Sequence, residues 1–259
     1  MDHVTVDIDA RGVATLTLSR AEKRNALSAQ MMDEIHATAQ ALADDAAVRV
    51  VVLAAAGEIF CAGGDLGWMR DQMGADAATR AIEARRLAEM LQRLNTLPKP
   101  LIGRVQGNAF GGGIGMACVC DAVVAVDDAR FGLTETRLGL IPATIGPYVL
   151  ARMGEGRARR VFMSARLFDA DEACDLGIVS RVVPAADLDT AVAREVDPYL
   201  ACAQGAVAAA KDFARSFGTP IDKTTIDRSI AALIAQWEGD EAQEGIAAFF
   251  EKRKPGWSV

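Results

Sequence analysis

A chain of 259 residues is long enough for one large domain, or for a domain with an appendage. With 51% hydrophobic and 24% charged residues it has the composition of a folded globule with a substantial core. A net charge of −7 and only 5% aromatic residues exclude a general nucleic-acid binder, which needs a basic face and stacking platforms. The N-terminal run MDHVTVDIDA carries acids where a secretory leader has a basic start and an apolar stretch. No apolar run approaches the roughly 20 residues of a membrane span. The cysteines Cys61, Cys118, Cys120, Cys174 and Cys202 are odd in number and irregularly spaced, which points to a reducing, cytoplasmic setting without a disulfide framework. The Cys118-x-Cys120 pair has no partner ligands and reads as buried packing.

In chain order, the alternating run VTVDIDARGVATLTLSR predicts a β-hairpin, Val4–Ile8 and Val13–Leu18, around an Arg-Gly break. Met31, Met32, Ile35, Ala39 and Leu42 recur at helical spacing behind Ser28, a suitable N-cap, and predict a helix over 28–43. The β-branched run at 48–54 predicts a buried strand. Residues 75–96 are rich in Ala, Arg, Leu and Glu and predict one long helix, stopped by Pro98 and Pro100. LIGRVQG, a glycine loop, a helix of about two turns ending near Cys120, and AVVAV then give strand, loop, helix, strand. After Pro184 the patterns are helical only, at 192–199, 206–217, 224–237 and 241–252. The expected plan is an α/β core over 1–195 and a helical region over 196–259, with the boundary near 190–200.

Three segments can carry chemistry. In Ile59-Phe60-Cys61-Ala62-Gly63-Gly64-Asp65-Leu66, two glycines let the backbone approach a ligand closely, and Asp65 is placed to cap the next helical turn. Gly111-Gly112-Gly113-Ile114-Gly115 opens the short helix, where free N–H groups point outward with partial positive charge and suit an oxyanion or a phosphate. A phosphate loop would need Lys-Ser or Lys-Thr after the glycines, and none is present. A dinucleotide fingerprint starting at Gly113 meets Cys118 where its third glycine belongs, although Asp127 does end the following strand. The third segment, 131–142, places Glu135 in an apolar, glycine-punctuated stretch. Burial would raise its pKa toward neutrality and suit it to proton transfer, whereas exposure would leave a solvated acid paired with Arg137.

The absences narrow the choice further. His3 and His36 are the only histidines, so a Ser-His or Cys-His nucleophile has little to build on. No cluster of metal ligands is evident. A carboxylate and backbone dipoles remain, which suffice for moving a proton beside a thioester carbonyl and holding the enolate in an oxyanion hole.

Together these segments resemble the crotonase superfamily, the enoyl-CoA hydratase/isomerase family. The resemblance spans essentially the whole chain: the Arg20-Ala-Glu-Lys-Arg-Asn25-Ala26-Leu27 entry, FCAGGDLGWM, VQGNAFGGGIG, CDAVVAVDDARFGLTETRLGLIP and a terminal FFEKRKP, in that order. It implies an α/β fold with a spiral core of repeated ββα turns and C-terminal helices that assemble homotrimers or hexamers. It implies an acyl-CoA thioester substrate, no cofactor beyond the coenzyme A of that substrate, no metal, no nucleic acid and no membrane. The family's oxyanion donors fall on Gly64 and Gly112. Contacts to coenzyme A fall on Lys23, Ala26, Ala62, Asp65 and Leu66, with Lys252 or Arg253 of a neighbouring subunit at its phosphates.

Hydratases of this family use two glutamates. The second matches Glu135, but the first falls at the last position of a GGGxE pattern, where this chain has Gly115. Three ways of working without it stay open: Glu135 alone, as in single-carboxylate isomerases; a substitute carboxylate from 70–89; or a group supplied by the substrate. GGGIG with LTETRLGLIPATIGPYV is similar to bacterial hydratases of branched, carboxylated enoyl-CoAs of the methylglutaconyl-CoA and carboxygeranoyl-CoA type. Arg70 is then a candidate partner for a distal carboxylate, with a plain surface role as its alternative. Trp68 and Met69, with the following helix, are expected to shape the acyl pocket. The expected function is an enoyl-CoA hydratase; an isomerase or other enolate enzyme, and a non-catalytic acyl-CoA binder, are the alternatives.

Overall fold

The computed structural model describes residues 2–258. The chain opens with the expected hairpin, β1 (Val4–Ile8) and β2 (Val13–Leu18), paired antiparallel with Val4 opposite Leu18. A 3₁₀ turn (Ala21–Lys23) leads into α1 (Ala29–Asp44), whose first turn is capped by the Ser28 hydroxyl accepting the N–H of Met31. The buried side of α1 carries the five apolar residues read from the spacing, together with Thr38. β3 (Val50–Ala55) is buried along its whole length. It lies between β2 and β4 (Leu101–Val105), parallel to both, which is why its sequence is continuously apolar.

Between β3 and β4 the chain forms two helices, of which the second is the long helix expected over 75–96. α2 (Leu66–Gly74) is capped by Asp65, and α3 (Ala77–Asn95) is capped by Asp76. Asp65 accepts the N–H groups of Gly67 and Trp68, and Asp76 accepts that of Thr79, so each helix starts on its own cap. The chain continues through β5 (Ala109–Phe110), α4 (Gly112–Val119), β6 (Ala122–Val126) and β7 (Arg130–Gly132) to a 3₁₀ turn, Glu135–Leu138. Then come α5 (Gly146–Met153), α6 (Glu155–Phe162), β8 (Leu167–Asp169), α7 (Ala170–Asp175) and β9 (Arg181–Val183). Four helices close the chain: α8 (Leu188–Leu200), α9 (Gln204–Ser216), α10 (Lys223–Trp237) and α11 (Asp240–Glu251).

The main sheet has the order β1-β2-β3-β4-β6-β9 and is parallel from β2 onward. A smaller ladder, β5-β7-β8, is continued by single parallel bridges between Cys61 and Ala109 and between Leu27 and Gly64. Successive turns therefore place one strand in the main sheet, a short extended piece in the ladder, and then a helix. This is a ββα spiral, and its ladder sets the loops at 61–64, 109–112 and 130–135 side by side.

The buried face of α8 (Leu188, Ala191, Val192, Val196) belongs to the main core, against β4 and β6. That helix spans the boundary expected near 190–200. α10 packs Ile226 and Ile230 on Ala84 and Ala88 of α3. α11 seats directly on the 3₁₀ turn at 135–138. A Cβ on Gly245 would lie 2.5 Å from the backbone of Leu138, and one on Gly139, at φ +69°, 2.4 Å from the backbone of Glu241. Only glycines allow this backbone-to-backbone approach, and it fixes the turn that carries Glu135. Among the described residues, no helix is long and apolar enough to cross a membrane.

Candidate active site

The first loop is tied into the ladder at both ends. Phe60 and Cys61 donate to the Asn108 carbonyl, Phe110 donates to the Cys61 carbonyl, and Leu27 donates to the Gly63 carbonyl. Gly63 sits at φ +90°, and a Cβ there would come within 3.3 Å of the Phe110 carbonyl oxygen. This leaves the Gly64 N–H with no acceptor among the described residues. Cys61 is fully buried, and burial pushes its thiol up to about 12, so it packs and does not act as a nucleophile.

The second loop turns at Gly111, whose φ of +48° and ψ of −112° disfavour any side chain. Its N–H donates to Gly132 in the neighbouring ladder strand. Gly112 then begins α4, a helix buried at every residue. Its N–H also lacks an acceptor among the described residues, and the positive end of the helix backs it. A Cβ on Gly112 would lie 2.5 Å from Leu27 Cδ1, so glycine is required here by packing as well as by approach.

Glu135 is the first residue of the 3₁₀ turn. Its Oε1 lies 3.1 Å from where a Cβ on Gly111 would stand, which sets the carboxyl directly over the second loop. Its Oε2 is buried without a hydrogen-bond partner. Burial pushes the carboxyl up from 4.5 to about 7, with one backbone hydrogen bond opposing. No ion pair links it to Arg137, so of the two readings of Glu135 the buried one holds.

The three loops open on a cavity of about 450 Å³, a volume suited to a small ligand. Ala62, Gly64, Leu66, Gly111, Gly112 and Glu135 line it, as do Trp68, Met69, Ala84 and Leu87 from α2 and α3. Leu233, Trp237 and Phe249 reach it from α10 and α11. Trp68 is held by its indole N–H, which donates to Glu83 at 2.8 Å.

The remaining expected ligand residues are placed differently. Lys23 is exposed on the first 3₁₀ turn and Ala26 is buried behind it. The Ala26 N–H donates to Lys23, and its carbonyl accepts from the Arg20 guanidinium. Asp65 does not face the cavity: its carboxylate caps α2 and pairs with Arg20 at 2.9 Å. Burial alone would raise its pKa, but the Trp68 N–H, Arg20 and the Gly67 N–H together hold it below the usual value. Lys252 and Arg253 lie at the end of α11, outside the lining of their own chain's cavity, and Arg253 bridges Glu244 and Glu251.

This combination of an oxyanion-type pair of N–H groups and a buried carboxyl agrees with the sequence comparison. The model of the family described as "Enoyl-CoA hydratase/isomerase" matches residues 9–259. The chain belongs to this family. It is 33% identical over 251 residues to the 2,3-dehydroadipyl-CoA hydratase of Escherichia coli, covering 94% of each chain. Among solved structures, an enoyl-CoA hydratase from Shewanella pealeana superposes with a TM-score of 0.81 at 36% identity, covering 98% of this chain and 96% of the other. An enoyl-CoA hydratase from Mycobacterium avium superposes with a TM-score of 0.86 at 30% identity over the full length of both. The fold is therefore the crotonase type.

As an enoyl-CoA hydratase/isomerase family member, the chain departs from the two-glutamate pattern at Gly115, and the structure shows what replaces the missing side chain. A Cβ on Gly115 would meet Ile145 Cγ2 at 2.8 Å and Leu91 Cδ1 at 3.4 Å. The position is filled by hydrocarbon and is no gap. No carboxylate from 70–89 lines the cavity among the described residues, which removes that substitute; Glu135 is the sole acid in the lining. Arg70 is exposed and stacks on the Phe250 ring at 4.8 Å, outside the lining. Sequence reading had no means of finding Ile145, which is thirty residues from Gly115 in the chain. It also missed the C-terminal wall of Leu233, Trp237 and Phe249, whose only signal was the helical spacing of α10 and α11.

Proposed function

We propose that this chain hydrates a branched or carboxylated 2-enoyl-CoA, with Glu135 handling both protons. The observation that carries the reading is the isolation of Glu135: a lone buried carboxyl, poised near neutrality, over the loop that presents the Gly112 N–H. The thioester oxygen accepts from Gly64 and Gly112. The Glu135 carboxylate takes a proton from water as the water oxygen bonds to the β-carbon, and the π electrons move onto the thioester as an enolate. Protonated Glu135 then returns that proton to the α-carbon. One acid suffices because the proton it takes is the proton it gives. Each oxyanion donor is worth about 2.7–4 kcal/mol of barrier in such chemistry. The carboxylated substrate class is supported by the resemblance of GGGIG and LTETRLGLIPATIGPYV and by the name of the Escherichia coli relative, a dicarboxylic acyl-CoA hydratase.

The second reading is double-bond isomerisation, in which Glu135 moves a proton along the acyl chain. Ile145 favours it, because the side on which a second glutamate would help to hold water is apolar. Incubation of 2-enoyl-CoA esters in heavy-oxygen water separates the two, since hydration labels the product and isomerisation does not. Glu135→Gln is expected to abolish turnover while ester binding persists. Near-normal activity in that variant removes Glu135 from the mechanism, and tight binding without turnover of any ester reduces the chain to an acyl-CoA binder. The same reading assigns a homotrimer or hexamer, with Lys252 or Arg253 of a neighbouring subunit at the coenzyme A phosphates; light scattering of the purified chain tests the assembly.

A further inference from the structure

The cavity lining contains one cation among the described residues, Arg137. It stands two residues beyond Glu135 on the same 3₁₀ turn, which is anchored by the Arg137 N–H on Thr134 and seated under α11. Its guanidinium makes no ion pair or hydrogen bond among the described residues. Its charge is therefore not already matched by an acid, as those of Arg20, Arg85, Arg86, Arg104, Arg166 and Arg253 are. The nearest acid in sequence, Glu135, is turned into the cavity and is not its partner. Arg137 is solvent-exposed and so stands at the open side of the cavity, whose lining includes the apolar Leu138, Leu140, Leu167 and Phe249.

Resting on the reading of the cavity as an acyl-CoA site, we infer that Arg137 is the counter-charge for a carboxylate at the far end of the acyl group. A carboxylate entering an apolar cavity loses hydration and needs a charged partner to make good the loss. It also enters a chain of net charge −7, so a local cation is needed for binding to be favourable. A guanidinium offers a planar fork that matches a carboxylate with two parallel hydrogen bonds, which an ammonium cannot do. Arg137 serves here as a specificity residue. Proton transfer stays with Glu135, and Arg70, stacked on Phe250 outside the lining, has no part in it.

The test compares two ligands of equal length, adipyl-CoA and hexanoyl-CoA, which differ only in a terminal carboxylate. Their binding to the whole protein is measured by calorimetry for the parent, Arg137→Gln and Arg137→Lys. The parent is expected to prefer adipyl-CoA. Arg137→Gln should weaken adipyl-CoA about 10–100-fold and leave hexanoyl-CoA nearly unchanged, the usual scale for a lost charge-assisted hydrogen bond. Arg137→Lys should recover part of the loss, and added salt should narrow the preference. Equal weakening of both ligands places Arg137 at the coenzyme A phosphates and overturns the inference. So does a parent without preference, or an Arg137→Gln variant that keeps it. Because saturated esters are used, the outcome does not depend on which reaction is catalysed. Failure to bind either ester instead condemns the acyl-CoA reading itself.

Discussion

Ile145 occupies the space that a side chain on Gly115 would need: the Cβ position of the glycine lies 2.8 Å from Ile145 Cγ2 and 3.1 Å from Ile145 Cβ. Both residues are buried, and Ile145 forms part of the cavity lining. The loss of an acid at the start of α4 and the presence of a β-branched residue before α5 are thus two halves of one packing solution. Restoring a glutamate at 115 alone would force a carboxyl into a filled, apolar space.

The pairing can be measured. Gly115→Ala gains helix propensity of about 1 kcal/mol but overlaps Ile145, and overpacking of this kind costs about 1–3 kcal/mol. Ile145→Ala alone leaves a cavity and is expected to cost about 2–5 kcal/mol. The double variant should be more stable than the sum of the two changes by about 1–2 kcal/mol, because each relieves the defect of the other. Denaturant unfolding at fixed protein concentration reads this directly, and simple additivity would show that the two side chains do not compete for space.

A second prediction concerns pH. Glu135 holds its proton more tightly when folded, at about 7, than an ordinary carboxyl at 4.5. Folding therefore retains a proton that the unfolded chain releases, and stability falls as pH rises from about 4.5 through 7. The loss is on the order of 3 kcal/mol for a fully buried group. Glu135→Gln removes it, so this variant should melt higher than the parent at pH 8 and close to it at pH 5. Equal shifts at both pH values would mean that Glu135 titrates as an exposed acid.

The proposed mechanism makes the same group set the rate. With Glu135 as the base that takes the water proton, kcat/KM should climb with pH and reach half its plateau near 7, where the carboxyl ionises in the free protein. A profile flat from pH 5.5 to 8.5 would show that another group limits the reaction.

The hairpin, α1, β3 and the C-terminal helices are legible in the sequence because each carries its own period over many residues. β5 and β7 are not: two and three residues long, they exist only through pairing with each other and with Cys61. The helix over 75–96 is legible too, as α3, but the extent of α2 is not: only Asp65, a cap for the next helical turn, marks it. In the site, the glycine loops and Glu135 announce themselves by type and spacing. Ile145, Arg137 and the wall from α10 and α11 depend on contacts between distant segments, and no local pattern encodes those.

Gly64 and Gly112, the proposed oxyanion donors, should respond differently to the same change. A Cβ on Gly64 would meet only Trp68 and Met69, at 3.6–3.7 Å, which is ordinary contact. Gly64→Ala should therefore fold with nearly the parent's stability. Its methyl, however, would stand among residues that line the cavity, where the proposed mechanism brings the thioester to the N–H, and turnover should fall by at least about 100-fold, the scale of one lost oxyanion donor. On Gly112 the Cβ overlaps Leu27 Cδ1 at 2.5 Å, so Gly112→Ala is expected to lose stability first, by about 1–3 kcal/mol. Trimming Leu27 to Val in that background removes the overlapping Cδ1 and should return some stability without restoring the approach to the N–H. Melting curves and single-turnover rates on the same preparations separate the two effects. A stable, fully active Gly64→Ala would mean that the thioester oxygen does not reach the Gly64 N–H.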